Sequence, residues 1–423
     1  MKIFCLLNIF WFFTLITSGQ ETKKVNLGML HKLIGEEGRM STLERAIDSV
    51  QQLQSKNIST VWLPKFDANA QATWQSDVVS ISIPFPGVSI PSPTNDQYKL
   101  TLDVTQVLWD GGFSAERKKV ALTQAATDKS VVKSEIYNAR ERINDAFFSI
   151  LALDMSLKQL NLLDNELESR INEMEVRVKE GVVLLSAVNQ LKAEKLKLQQ
   201  RLMEIPSRRL SLIAIIETLT QTKIDNETVF VEPNVPEVPP KAIVHPDLLQ
   251  FDAQNSLLDA SMELTSRKRY PTVAAFASAG YGKPGLNMIS NEWDFFTLVG
   301  AKVSWNLWDW SSTHREKEQL RIRKNMNNVR RMAVSDALLI KIKSSEYEIA
   351  MLRKQLENDR QIIELLDQSE KETASRLLNG VVSANDYLLN LNAVTRAKIE
   401  MELRNLSISR EKVRIAFYNG IDL

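Results

Sequence analysis

Cysteine is nearly missing: the 423 residues contain one, Cys5. A chain so poor in thiols has no disulfide framework and no thiolate metal site, so its fold must stand on packing. Glycine and proline are scarce, at 14 and 13, which leaves room for long uninterrupted helices. Charge of one sign is also missing. A formal net charge of +1 gives no general reason to expect nucleic-acid binding. Beyond the N-terminus no stretch reaches about 18 consecutive apolar residues, so no transmembrane helix is expected there. The histidines His31, His245 and His314 stand far apart, and none has a metal-ligand companion at useful spacing. No nucleophile elbow is present. The sequence therefore predicts no enzyme, no cofactor and no metal. What remains is ordinary: 44% hydrophobic and 25% charged residues, which argues against wholesale disorder.

The first residues read as an export leader. Lys2 is a minimal basic region, residues 3–16 are nearly all apolar, and Thr17-Ser18-Gly19 precedes Gln20 as a small-x-small site. This predicts a signal peptide over 1–19, removed on export. An exported chain without a membrane helix is either soluble or crosses a membrane by strands.

The sequence repeats itself. Leu108-Trp109-Asp110 returns as Leu307-Trp308-Asp309, and Gly181-Val182-Val183 returns as Gly380-Val381-Val382, both at an offset of 199. Two matches at one offset, with no insertion between them, point to duplication. Upstream, Trp62-Leu63-Pro64 corresponds to Arg269-Tyr270-Pro271 at an offset of 207, so the length difference falls among hairpins and loops, where it is tolerated. The predicted division is a first repeat over 20–230, a linker over 231–246 and a second repeat over 247–423. The linker holds Pro233, Pro236, Pro239, Pro240 and Pro246, which suits an extended segment.

No Gly or Pro interrupts the chain between Gly112 and Gly181, or between Trp308 and Gly380. Helix formers dominate both stretches, and apolar residues recur in sevens: Ile136, Ile143, Ile150 and Leu157, then Ile342, Ile349 and Leu356. Each stretch predicts a helix of roughly 65 residues, about 100 Å long. A Gly followed at once by a new helical pattern predicts helical hairpins with tips at Gly181 and Gly380. On the second return helix Tyr387, Leu391 and Val394 share a face. Pro206 predicts a kink or break in the first. Ser41-Thr42-Leu43-Glu44 reads as a capping box opening a short helix to about Gln54, and Pro246 as the first residue of a helix running to about Arg267.

Ahead of each long helix the period changes to two. Residues 66–75 alternate Phe66, Ala68, Ala70, Ala72 and Trp74 with polar neighbours, and 98–105 alternate Tyr98, Leu100, Leu102 and Val104 with polar neighbours. The second repeat offers 272–281 and 295–307, where Val299, Ala301, Val303 and Trp305 share a face. The predicted strand hairpins therefore span 66–107 and 272–307. Such alternation suits a half-buried sheet, as in a small sandwich packed on helices, or an outer-membrane barrel. Two features favour the barrel. Trp74, Tyr98, Tyr281, Trp293, Phe295 and Trp305 lie near strand ends, as membrane-interface aromatics do. Four strands also cannot close a barrel alone, so the chain would need partners with the same element. Between the second pair, Gly280-Tyr281-Gly282-Lys283-Pro284-Gly285 matches G-x-G-x-x-G, but a strand rather than a helix follows, so it reads as a hairpin loop.

With the leader, the two-fold repeat, Leu-Pro before the first strand, aromatic-Asp at each strand-to-helix junction and Gly-Val-Val at each tip, the chain resembles the TolC-like outer membrane efflux proteins. No single motif is specific; the order and spacing are. The resemblance covers essentially the whole chain after the leader. It implies an α + β membrane protein acting as a homotrimer, with a twelve-stranded barrel in outer-membrane lipid and a coiled-coil-like helical tunnel in the periplasm. It also implies a passive exit duct of a tripartite efflux or type I secretion system, joined through a periplasmic adaptor to an inner-membrane transporter. Such proteins often carry a pore-facing carboxylate six residues after the tip Gly. That place is Asp386 in the second repeat and Ala187 in the first. An inward Asp386 would form an acidic ring favouring cations; an outward one would sit favourably at a helix start. The family's lock of a Tyr before and an Arg after the second tip Gly is replaced here by Leu377 and Val382. Apolar residues at the turns (Val182, Val183, Leu184 and Leu185 beside Gly181, Val381 and Val382 beside Gly380) are candidates for docking the adaptor. The competing reading is a periplasmic coiled-coil scaffold or adaptor with a small β-domain.

Overall fold

In the computed structural model the described residues are 23–421, without 37, 80–91, 237–242 and 288–289. The expected leader over 1–19 and most of the first hairpin loop lie outside them. The elements run β1 (Lys24–Val25), α1 (Leu27–Glu36), α2 (Arg39–Ser59), β2 (Lys65–Trp74), β3 (Asp96–Trp109), α3 (Phe113–Lys179), α4 (Leu185–Thr220), β4 (Val229–Phe230), α5 (Pro246–Arg267), β5 (Thr272–Lys283), β6 (Asp294–Ser304), α6 (Ser312–Leu378) and α7 (Ala384–Tyr418).

The duplicated helices match in length. α3 and α6 are 67 residues each, and the return helices α4 and α7 are 36 and 35. Ile143, Ile150, Ile342 and Ile349 of the seven-residue pattern are buried. α3 also contains one window apolar enough to cross a membrane by length and composition alone, although no unbroken apolar run marks it, and a third of that window is buried. Its Ile143, Phe147, Phe148 and Ile150 are buried in the protein.

Compactness divides the chain into two units that do not follow the repeats. One unit is Met1–Leu33, Ile143–Val235 and Met351–Arg410; the other is Ile34–Arg142, Pro236–Ala350 and Glu411–Leu423. The first unit contains both helical-hairpin tips and the two-stranded sheet of β1 and β4. Its largest core joins Leu163, Leu167, Met174, Val188, Leu191, Leu377, Tyr387 and Leu391. The second contains a four-stranded sheet in the order β2-β3-β5-β6, antiparallel throughout. A core of Tyr137, Leu248, Leu338, Ile342, Phe417 and Tyr418 lies in the same unit.

Three local expectations fail: a break at Pro206 and the bounds of α2 and β6. α4 runs unbroken through Pro206. The ring lies on the exposed side, where solvent can satisfy the carbonyl it frees. α2 begins at Arg39 and extends to Ser59, beyond the expected 41–54, with Gly38 and not Ser41 at its cap. Ser41 Oγ donates back to the Gly38 carbonyl at 2.9 Å, so its hydroxyl is used inside the first turn. β6 stops at Ser304 instead of reaching 307, and Trp305 Nε1 donates to the Arg269 carbonyl at 3.0 Å. α5 opens at Pro246 and closes at Arg267 as the sequence indicates, with His245 as its cap. The buried His245 imidazole accepts from the Asp247 amide at 3.2 Å, and burial holds its pKa below the ordinary histidine value.

Candidate functional site

Two regions carry the candidate residues, one in each unit. The first is the pair of helical-hairpin tips. Both long helices end in the same hydrogen-bond pattern. Val182 N donates to Arg177 O and Gly181 N to Val178 O, both at 3.0 Å. Val381 N donates to Arg376 O at 2.9 Å and Gly380 N to Leu377 O at 3.0 Å. This is a Schellman closure, and it places the glycine in the left-handed region. The φ angles are +77° at Gly181 and +69° at Gly380.

The tips then diverge. A Cβ on Gly181 would meet nothing within 4 Å, whereas one on Gly380 would lie 2.9 Å from the Val182 carbonyl oxygen. Gly380 is therefore also a point of close approach between the two tips. The return helices start differently too. Ser383 N and Oγ donate to Asp386 Oδ2 at 3.2 and 2.7 Å, and Asp386 N donates to Ser383 Oγ at 3.2 Å. That is a reciprocal capping box at the start of α7, and it holds the exposed Asp386 beside the helix's positive end. At the first tip the cap is Leu184, which makes no side-chain cap bond.

The apolar tip residues divide as well. Leu184 is 76% exposed and Val381 71%, and Val182 and Leu185 are exposed with them. Val183 and Val382 turn inward against the core that holds Tyr387 and Val188. Of the apolar tip candidates, then, Val182, Leu184, Leu185 and Val381 are presented to solvent.

Below the tips lies a charged cluster that the sequence did not reveal. Tyr387 is fully buried. Its hydroxyl donates to Glu166 Oε1 at 3.3 Å and accepts from Arg170 Nε at 3.4 Å. Arg170 also bridges to Glu166 and Glu173 at 3.2 and 2.8 Å. Burial pushes the Tyr387 hydroxyl up to about 12, with Arg170 opposing. Burial also raises the pKa of Glu370, and the neighbouring Glu166 adds to the effect. A cavity of about 450 Å³ is lined by Glu166, Arg170, Asp367, Glu370 and Lys398. Tyr387 was legible only as a core residue, because its polar partners lie more than 200 positions away.

The second region is the sheet. The ladder registers put Phe66, Ala68, Ala70, Ala72 and Trp74 of β2 on one face with Tyr98, Leu100, Leu102 and Val104 of β3. Ala277, Ala279 and Tyr281 of β5 and Phe295 and Val299 of β6 join them. Phe66, Leu100, Phe295 and Val303 are exposed, and Val299 reaches 79%. This is a continuous apolar face that nothing in the chain covers among the described residues. The opposite face is polar in the first hairpin: Asp103 Oδ2 accepts from Asn69 at 2.7 Å and from Thr101 at 2.9 Å. In the second hairpin it is filled differently. Phe296 lies over the paired Gly280 and Phe276 over the paired Gly300, so that a Cβ on either glycine would collide with a ring. The glycines of the G-x-G-x-x-G match thus belong mainly to a strand, and Gly280 makes room for a phenyl ring.

The six predicted interface aromatics are all exposed, and they sort to opposite ends of the strands. Trp74, Tyr98, Tyr281, Trp293 and Phe295 lie at the loop end. There Trp293 stacks on Tyr98 and Tyr281 at 5.9 and 5.3 Å between ring centroids. Trp305 lies at the helix end. Trp62, Trp109, Tyr270, Trp308 and Trp310 are exposed at that end too, and the sequence reading did not single them out as interface residues.

No family model matches the sequence, and no curated protein does. Solved structures do match. The outer membrane protein VceC of Vibrio cholerae aligns over 93% of this chain and 96% of its own, with a TM-score of 0.65 and 15% identity. The CmeC outer membrane channel of Campylobacter jejuni aligns over 93% and 85%, with a TM-score of 0.66 and 13% identity. The MtrE outer membrane channel of Neisseria gonorrhoeae, in its open state, aligns over 94% and 89%, with a TM-score of 0.67 and 13% identity. At such identities the likeness is one of fold, and over nearly its whole length this chain has the fold of the TolC-like outer membrane channels.

Proposed function

We propose that this chain is an outer-membrane exit duct, working as a homotrimer. The observation that carries the reading is the sheet: four strands and, among the described residues, both outer strands β2 and β6 unpaired on one side and one apolar face uncovered. An open edge and an uncovered apolar face are liabilities in water. In a bilayer, closure removes the edges and lipid covers the face. β2 and β6 run in opposite senses, so β6 of one copy can continue the antiparallel alternation with β2 of the next. Three copies of four strands give a twelve-stranded barrel, with the Asp103 network turned to the lumen. The fold neighbours, an outer membrane protein and two outer membrane channels, support this reading.

Transport through such a duct is passive, with an inner-membrane transporter supplying the work. The exposed Val182, Leu184, Leu185 and Val381 suit docking of a periplasmic adaptor protein. Replacing Leu184 with Asp is expected to abolish adaptor cross-linking at this tip while leaving the channel assembled. Asp386 is proposed to add an acidic ring at the periplasmic entrance. Asp386→Asn should then lower cation preference in planar bilayers, and an unchanged reversal potential would leave the residue with its capping role alone.

Cell fractionation tests the main reading. The duct should be recovered in outer-membrane fractions. Recovery from the periplasm without membrane would overturn it.

A further inference from the structure

The turn between strand and long helix occurs once in each repeat, and it demands the same backbone in both. In the first repeat Asp110 accepts from the Gly112 and Ser114 amides at 3.0 and 2.7 Å, and Gly111 and Gly112 adopt φ of +68° and +80°. In the second, Asp309 accepts from the Thr313 amide at 2.9 Å, and the residues in the glycine places are Trp310 and Ser311, at φ +51° and +61°. Two consecutive left-handed residues cost a glycine pair almost nothing. They strain any residue with a Cβ, and a bulky one is a true outlier.

In the first repeat the absence of a side chain is enforced: a Cβ on Gly111 would lie 2.4 Å from Tyr270 Cβ. The second repeat is under no such compulsion, yet it carries the largest side chain available in a conformation that disfavours it. The chain itself returns little for this. Trp310 remains 77% exposed and Trp308 71%, and their rings touch only edge to face at 5.8 Å. A strained residue whose side chain gains little burial within its own chain points to something outside that chain.

We propose that Trp308 and Trp310 form a lipid-headgroup anchor fixing the depth of the barrel at its helix end; this rests on the barrel reading above. Three observations select a lipid interface over water or protein. The pair follows within a few residues of the uncovered apolar sheet face, whose last exposed residue in β6 is Val303, with the exposed Trp305 just beyond the strand end. Indole, an apolar body with one polar N–H, partitions to the headgroup level. Cations suited to lipid phosphate stand at the same turn: Arg315, which donates to the Trp310 carbonyl at 2.8 Å, and the half-exposed Lys268, bridged to Glu316 of α6 at 2.8 Å.

The test places a spin label at Trp310→Cys and, as a control, at Val299→Cys, in a Cys5→Ser background, with the full-length protein reconstituted in phosphatidylcholine–phosphatidylglycerol vesicles. Collision with oxygen and with a water-soluble nickel chelate reports depth. The Val299 label should read as hydrocarbon and the label at 310 as headgroup depth. If the Val299 label lies in hydrocarbon while the one at 310 reads as bulk water, or is shielded from both probes by protein, the anchor is overturned and the duct stands. If the Val299 label is itself outside hydrocarbon, the barrel reading fails and takes this inference with it. The native side chains are checked by fluorescence. Quenching by lipid brominated at shallow acyl positions should fall in Trp308→Phe/Trp310→Phe, and unchanged quenching would contradict the anchor.

Discussion

The two hairpin tips begin as copies and end as different devices. Both close with the same Schellman bonds on a left-handed glycine. Beyond that closure, the Gly181 tip is open and apolar, with Leu184 at its cap. The Gly380 tip is pressed against the Val182 carbonyl and held by the Ser383–Asp386 box. The backbone requirement of the turn survived duplication because it is local. The residues that contact other elements diverged. In the proposed duct this makes the first tip the better docking surface and the second the better-fixed one.

The contrast can be broken by substitution, with hydrogen exchange of the tip amides as the readout of local opening. Gly380→Ala should have the largest effect. It combines a left-handed alanine, about 1 kcal/mol, with overpacking against a backbone oxygen, about 2 kcal/mol. Gly181→Ala should cost only the conformational part, about 1 kcal/mol. Equal effects would show that the approach to Val182 is not constraining. Next, Ser383→Ala should loosen the start of α7 by about 1 kcal/mol. Leu184→Ser with Ala187→Glu should instead tighten α4 by a similar amount, by installing the missing box. Tyr387→Phe keeps the buried ring and loses the link to Glu166 and Arg170, for about 0.5–1 kcal/mol. Away from the tips, His245 gives a pH effect of known sign. Its folded pKa lies below the unfolded value, so its contribution is complete above roughly pH 6.5 and is lost as pH falls toward the folded value. His245→Asn should flatten that acid-side loss in a thermal melt.

The long elements were legible because their signals are periodic and repeated. The absence of Gly and Pro over each rod, and the shared offset of the LWD and GVV motifs, located α3 and α6. Alternation located β2, β3, β5 and β6 to within a few residues. What escaped depends on contacts between distant positions. Tyr387 looked like any core aromatic until Glu166 and Arg170 were placed beside it. His31 looked isolated, yet its ring is buried within 2.6 Å of Asn144 Oδ1. Pro206 looked disruptive because the sequence does not reveal which side of α4 it occupies. Trp310 was detectable in principle. Carrying the 199-residue offset past the LWD motif aligns Gly111-Gly112 with Trp310-Ser311, and that mismatch is the signal of a left-handed turn lacking its glycines.

Native mass spectrometry of the protein extracted from outer membranes tests the central claim most directly. The account predicts three copies per particle, each outer strand paired with a neighbour's. A folded single copy from the same membranes, with both sheet edges free, would contradict it.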